Sequence, residues 1–153
     1  MAKVELEGLS ALEACKGREL VVSDWLEVTQ QMVDAFAEVT GDPQWIHIDV
    51  TRSRRESPFG TTIAHGFLTV SLLSLFLNRS VVFRGTRMGV NYGFNKLRFT
   101  APVKVGSRLR ARFRVDELEA IEGGTQILWG VTMECEGQKK PVLVAEWLTR
   151  RYN

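Results

Sequence analysis

The sequence predicts an α+β domain in which a long, curved antiparallel sheet wraps around one buried helix. Three observations carry that expectation. Residues 64–77 are apolar on nearly every face, which marks a helix enclosed by a core rather than laid on a surface. The second half of the chain, at 88–99, 105–118, 126–135 and 142–150, is rich in β-branched and aromatic residues, with turn-forming residues at 100–102, 122–124 and 136–138. Within it Arg108, Arg110, Arg112 and Arg114 alternate with Leu109, Ala111, Phe113 and Val115, so one strand face is wet and the other packs on the helix.

In chain order, Ser10 and Glu13 fit a capping box, predicting a short helix to about Lys16 that Gly17 ends. Residues 19–22 read as a strand. Thr29 can cap the next helix, where Met32, Val33, Phe36 and Val39 form an apolar stripe at helical spacing. Gly41 closes it, and the chain turns at once into Asp42 and Pro43. Thr51 can cap a short basic turn holding Arg52, Arg54 and Arg55, and 57–60 reads as a loop.

The whole, 1–153, is expected to be a single domain with a sizeable core. A net charge of +2 gives no general field for nucleic acid, so any basic patch is local. The longest apolar run, 63–77, is too short and too polar to span a bilayer, and the N-terminus lacks a signal pattern. The two cysteines, Cys15 and Cys135, lack metal-ligand spacing and read as free thiols of a cytoplasmic protein.

Chemistry concentrates at 41–77. Asp42 and His47 bracket Pro43 and Trp45, and the only other histidine, His65, precedes the buried helix. One acid and one imidazole on the same turn can hold a water between them and exchange its protons. The plainer alternative is a turn aspartate and a structural histidine. Gly66 falls near the helix start, where backbone N–H groups lack intrahelical partners. A glycine there lets a ligand carbonyl approach the amide, the geometry of an oxyanion hole. Close helix packing is the plainer role for Gly66, and for Ser71 and Ser74 it is a bond back to a carbonyl one turn earlier.

The stretches Phe36-Ala-Glu-Val-Thr-Gly-Asp-Pro-Gln-Trp-Ile-His-Ile-Asp49 and Phe59-Gly-Thr-Thr-Ile-Ala-His-Gly-Phe-Leu-Thr69 resemble the MaoC-like family of (R)-specific enoyl-CoA hydratases. Gln44-Trp45 replaces the more usual Asn-Pro and is similar to the branch that includes nodulation protein N. The resemblance implies a hot-dog fold, a homodimer, and reversible syn addition of water to a trans-2-enoyl-CoA in fatty acid metabolism. It implies that Asp42 and His47 grip the catalytic water, with the division of roles left open, that the Gly66 amide holds the thioester oxygen, and that Ser74 supports the site. No metal or redox cofactor is implied; coenzyme A is part of the substrate.

For the substrate, His65, Trp45 and Phe67 are expected along the acyl and thioester path, with Leu72 a further limit on tail length. A basic rim for the coenzyme phosphates draws on Arg84, Lys96 and Arg98, with Arg52, Arg54, Arg55 and Arg87 as further candidates. Two other functions are compatible with the same fold: an acyl-CoA thioesterase and a non-catalytic acyl-thioester-binding subunit.

Overall fold

Alternating burial organises the sheet. The computed structural model describes residues 3–153, and its elements are β1 (Val4–Glu7), α1 (Ser10–Glu13), β2 (Glu19–Val22), β3 (Leu26–Glu27), α2 (Gln30–Thr40), α3 (Trp45–Ile48), α4 (Val50–Glu56), α5 (Gly66–Ser80), β4 (Val81–Arg84), β5 (Met88–Phe99), β6 (Arg108–Ile121), β7 (Gly124–Cys135) and β8 (Leu143–Tyr152). Six strands form one antiparallel sheet in the order β2-β6-β7-β8-β5, with β3 also on β6. The small strands β1 and β4 pair in parallel beside it.

Leu109, Ala111, Phe113 and Val115 of β6, with Ile127, Trp129, Val131 and Met133 of β7, are buried on the inner face. They form one core with Leu68, Leu72, Leu73, Phe76 and Leu77 of α5. Each of the Val, Leu, Ile, Phe and Met side chains among them contributes about 1.5–3 kcal/mol by leaving water. On the outer face the arginines meet carboxylates: Arg108 on Glu136, Arg110 and Arg112 on Glu134, Arg114 on Asp116. Register shifts at Asn91/Gly93 and Phe94/Lys96 in β5, and at Val115/Glu117 in β6, bend the long strands, as bulges do, so that the sheet curls around α5.

Several boundaries depart from expectation. Ser10 does not cap α1; Leu9 holds that position and no side chain caps the helix. The cap of α4 is Asp49, which accepts from the Arg52 amide at 2.9 Å, rather than Thr51. His47 rides on a single helical turn, α3, where only a turn was expected. The main correction concerns α5, which is not enclosed on every side. Phe67, Ser71 and Asn78 are exposed and Ser74 is half-buried, at a spacing that makes one open stripe along the helix. Beside it β5 pairs only with β8, leaving an edge that exposes Met88, Val90, Tyr92, Phe94 and Phe99. Among the described residues, no helix is long and apolar enough to cross a membrane.

Candidate active site

Capping chemistry at both ends of α2 delivers the acid. Thr29 Oγ1 accepts from the Met32 amide at 3.2 Å, and Gly41 ends the helix in the left-handed region with φ 70°. The Asp42 amide still donates to the Ala37 carbonyl at 3.0 Å, which fixes the main chain while its side chain stays 55% exposed. Pro43 and Gln44 then lead into α3, which turns His47 inward to 7% exposure.

Four hydrogen bonds hold the imidazoles and the segments around them. His47 Nδ1 lies 2.7 Å from the Ile63 carbonyl. A carbonyl only accepts, so Nδ1 carries the proton and Nε2 of the neutral ring keeps the lone pair. His65, 3% exposed, donates from Nε2 to the Asp42 carbonyl at 3.0 Å. Gln30 Nε2 donates to the His47 carbonyl at 2.8 Å, while its Oε1 accepts from Thr62 at 2.6 Å. The two imidazole rings stack with centroids 3.8 Å apart and planes 24° from parallel. His65 Nδ1 is buried without a hydrogen-bond partner.

One polar atom from each of Asp42, His47 and His65 lies within 4.8 Å of the others. Two hydrogen bonds of about 2.8 Å each cover that span, so there is reach for a single water to bridge the carboxylate and the imidazole. Burial pushes the His47 imidazole below its ordinary value of 6.5, with His65 adding to the effect, while the Ile63 carbonyl and the Asp42 charge oppose it. His47 is therefore neutral and able to accept a proton at neutral pH.

Gly66 is the first residue of α5, preceded by His65 at φ −60°, ψ 139° with no side chain capping the helix. Its amide is free to meet an oxygen at the positive end of the helix. A Cβ on Gly66 would stand 3.0–3.2 Å from the Phe99 ring, so a larger residue there requires that half-exposed ring to give way. The two residues line one open cavity of about 360 Å³ with Ile63, Ala64 and Thr69.

The other expected residues are spread more widely. Ser74 lies eight positions past Gly66, about 12 Å along the helix, and lines a different cavity with Asn91 and Arg151. Ser71, not Ser74, bonds back to a carbonyl one turn earlier, at 2.7 Å on Phe67. Trp45 lies under the Arg52 guanidinium at 4.1 Å, Phe67 is 73% exposed at the first turn of α5, and Leu72 is buried in the core. Arg84 is committed to Glu5 and Glu7 at 2.9 and 3.4 Å, in the β1–β4 pair. Lys96 lines a groove with Glu19, Arg112 and Glu146. Arg98 donates to its neighbour's carbonyl, Leu97, at 2.9 Å. Gln30, Phe99 and Arg151 were not singled out from the sequence. Their contacts with His47, Gly66, Gly89 and Phe83 join residues 17 to 68 positions apart, and no local pattern announces them.

A sheet curled around one helix defines a hot-dog-fold protein, and an acid–imidazole pair beside that helix's first amide is its candidate proton-transfer site. Residues 12–134 match the MaoC like domain, and the chain belongs to that family. It is 45% identical over 145 residues to 3-hydroxyacyl-thioester dehydratase Z of Mycobacterium tuberculosis, covering 94% of this chain and 95% of the relative. Nodulation protein N of Rhizobium meliloti is 43% identical over 143 residues, covering 92% and 88%. Among solved structures, the unliganded R-hydratase PhaJ1 of Pseudomonas aeruginosa superposes with a TM-score of 0.68 at 25% identity, over 88% of this chain and 79% of that one.

Proposed function

We propose that the protein is an (R)-specific enoyl-CoA hydratase, a hydro-lyase that adds water reversibly to a trans-2-enoyl-CoA to give the (R)-3-hydroxyacyl-CoA. The carrying observation is the one-water span between the Asp42 carboxylate and the neutral His47 imidazole, beside the unpaired Gly66 amide. The names of the relatives supply the class: one is a dehydratase of 3-hydroxyacyl thioesters, the reverse direction, and a structural neighbour is an R-hydratase.

In the hydration direction Asp42 accepts one hydrogen bond from the water and His47 Nε2 takes its other proton as the oxygen bonds to C3. Electron density moves through C2 onto the thioester oxygen, where the Gly66 amide and the start of α5 stabilise it. The imidazolium then returns its proton to C2, so one water is consumed and His47 ends neutral. Every step is a proton transfer or an addition to a double bond, so the reaction as proposed needs neither metal nor redox cofactor. Hydration of crotonyl-CoA, followed as loss of enoyl absorbance with chiral analysis of the product, tests the assignment. Release of free thiol without hydration would make the protein a thioesterase instead.

Protonated His47 cannot act as the base, so kcat/KM for hydration is expected to fall with decreasing pH. Because burial lowers its folded value, the fall lies below pH 6.5. The linkage has the same sign. The unfolded chain binds this proton near 6.5 and the folded one only at lower pH, so the associated stability is intact above 6.5 and lost as pH falls through the folded value. A pH–rate profile with its acid limb above 6.5 would remove His47 as the base.

The homodimer belongs to the same proposal. The unpaired edge of β5, with Val90, Tyr92, Phe94 and Phe99 exposed beside Phe67, is an apolar template for a second copy. Tyr92, the residue left over at the first β5 bulge, is expected to sit in that contact. Replacing it by Glu should shift the light-scattering mass from dimer to monomer and lower activity. An unchanged dimer would place the interface elsewhere.

A further inference from the structure

Among the described residues Arg151 lacks a carboxylate partner, as Arg98 and Arg150 do, but unlike them it is held by burial. Arg84, Arg108, Arg110, Arg112 and Arg114 all face carboxylates within 3.2 Å. Arg151 has none among the described residues, although burial is deep enough to push its guanidinium below its ordinary value. Its charge lies over the Phe83 ring, 3.8 Å from the centroid. Gly89 makes room for it: a Cβ there would stand 2.8 Å from the guanidinium carbon. The group borders a cavity of about 140 Å³ with Ser74, Asn78, Asn91 and Thr149. Ser74, unlike Ser71, has no hydrogen bond back to its own helix. A guanidinium, two hydroxyls and two amides thus line one small space with no carboxylate among its described lining residues.

The cavity also occupies a particular place. Two cavities lie between α5 and the edge strand β5, one lined by Gly66 and Phe99 and the other by Ser74 and Asn91. The open stripe of α5 joins them. A ligand whose thioester oxygen meets the Gly66 amide would reach Ser74 after about 12 Å, roughly ten bonds of extended chain. A space of about 150 Å³ holds a benzene-sized group, so this one accepts a chain terminus but not a nucleotide. Nor does a second copy docked on these surfaces supply the missing charge, because neither α5 nor β5 contains an Asp or Glu.

Building on the hydratase reading, we propose that the Ser74–Arg151 cavity binds a carboxylate at the far end of the acyl chain, so that the substrate class is ω-carboxylated enoyl thioesters of medium length. Arg151 receives the carboxylate through its planar fork, and Ser74 with Asn91 donates to the remaining lone pairs.

Calorimetric titration of the full-length protein with saturated acyl-CoAs of about eight to twelve carbons, ending either in methyl or in carboxylate, tests this without turnover. The carboxylate-ended ligand is expected to bind at least about tenfold more tightly than its methyl-ended counterpart. Arg151→Met should erase that preference, and Gly89→Ala should reduce it by displacing the guanidinium while keeping its charge. The proposal is overturned if the wild type shows no preference. It is equally overturned if Arg151→Met weakens both ligands alike, which would assign Arg151 to the coenzyme or to a subunit contact. A preference that persists in a protein unable to hydrate crotonyl-CoA would sink the hydratase reading alone; hydration without preference would sink this inference alone.

Discussion

Asp42→Asn is expected to lower kcat for enoyl-CoA hydration by at least about a hundredfold while leaving the melting temperature near that of the wild type. The side chain is more than half exposed, and the bond from His65 goes to its carbonyl rather than to its carboxylate. Asparagine keeps the shape and the main-chain bond, and loses the charge and one of the two acceptor oxygens that hold the water. His47→Asn should be equally damaging. Its amide can replace Nδ1–H as donor to the Ile63 carbonyl, which alanine would leave buried and unpaired. What it cannot replace is the Nε2 lone pair. Near wild-type turnover in either variant, with folding verified by circular dichroism, would dismiss the pair as the acid–base machinery.

Gly66→Pro should cost about a hundred- to a thousandfold in kcat, the range for losing one oxyanion donor. The substitution is informative because the fold is prepared for it. Gly66 is the first helical residue, where proline's fixed φ is compatible with the helix and its missing N–H breaks no intrahelical bond. The preceding His65, at ψ 139°, already occupies the conformation that proline demands of its neighbour. The Phe99 ring is the one obstacle, and it is half exposed and free to yield. Gly66→Ala serves as the control, since it brings the same Cβ against Phe99 but keeps the amide. If Gly66→Ala and Gly66→Pro lose activity equally, crowding explains the loss and the amide has no role.

Much of the fold was legible because it rests on local periodicity. The alternation at 108–115 identified the inner and outer faces of β6, and β5 runs Met88–Phe99 as expected. The strands β1, β3 and β4 were missed because they are two to four residues long and exist only through their partners. The helix α5 looked enclosed because its composition is apolar all round. A sequence does not reveal that one stripe of such a helix lies open beside an unpaired strand edge. Phe67 and the β5 aromatics are apolar on the protomer surface for the same reason.

The site divides along a similar line. Asp42, His47 and Gly66 could be found from the sequence because glycine, proline and helix-end chemistry fix the backbone that carries them within a few residues. By itself the sequence determined the sheet-and-helix architecture, the acid–imidazole turn and the glycine at the head of the central helix. The tertiary structure alone decided that His65 stacks on His47, that Gln30 holds the turn carrying His47, and that Arg151 shares a cavity with Ser74 far along α5 from Gly66. Those contacts join residues distant in the chain, and each depends on side-chain directions that settle only when the sheet closes over the helix.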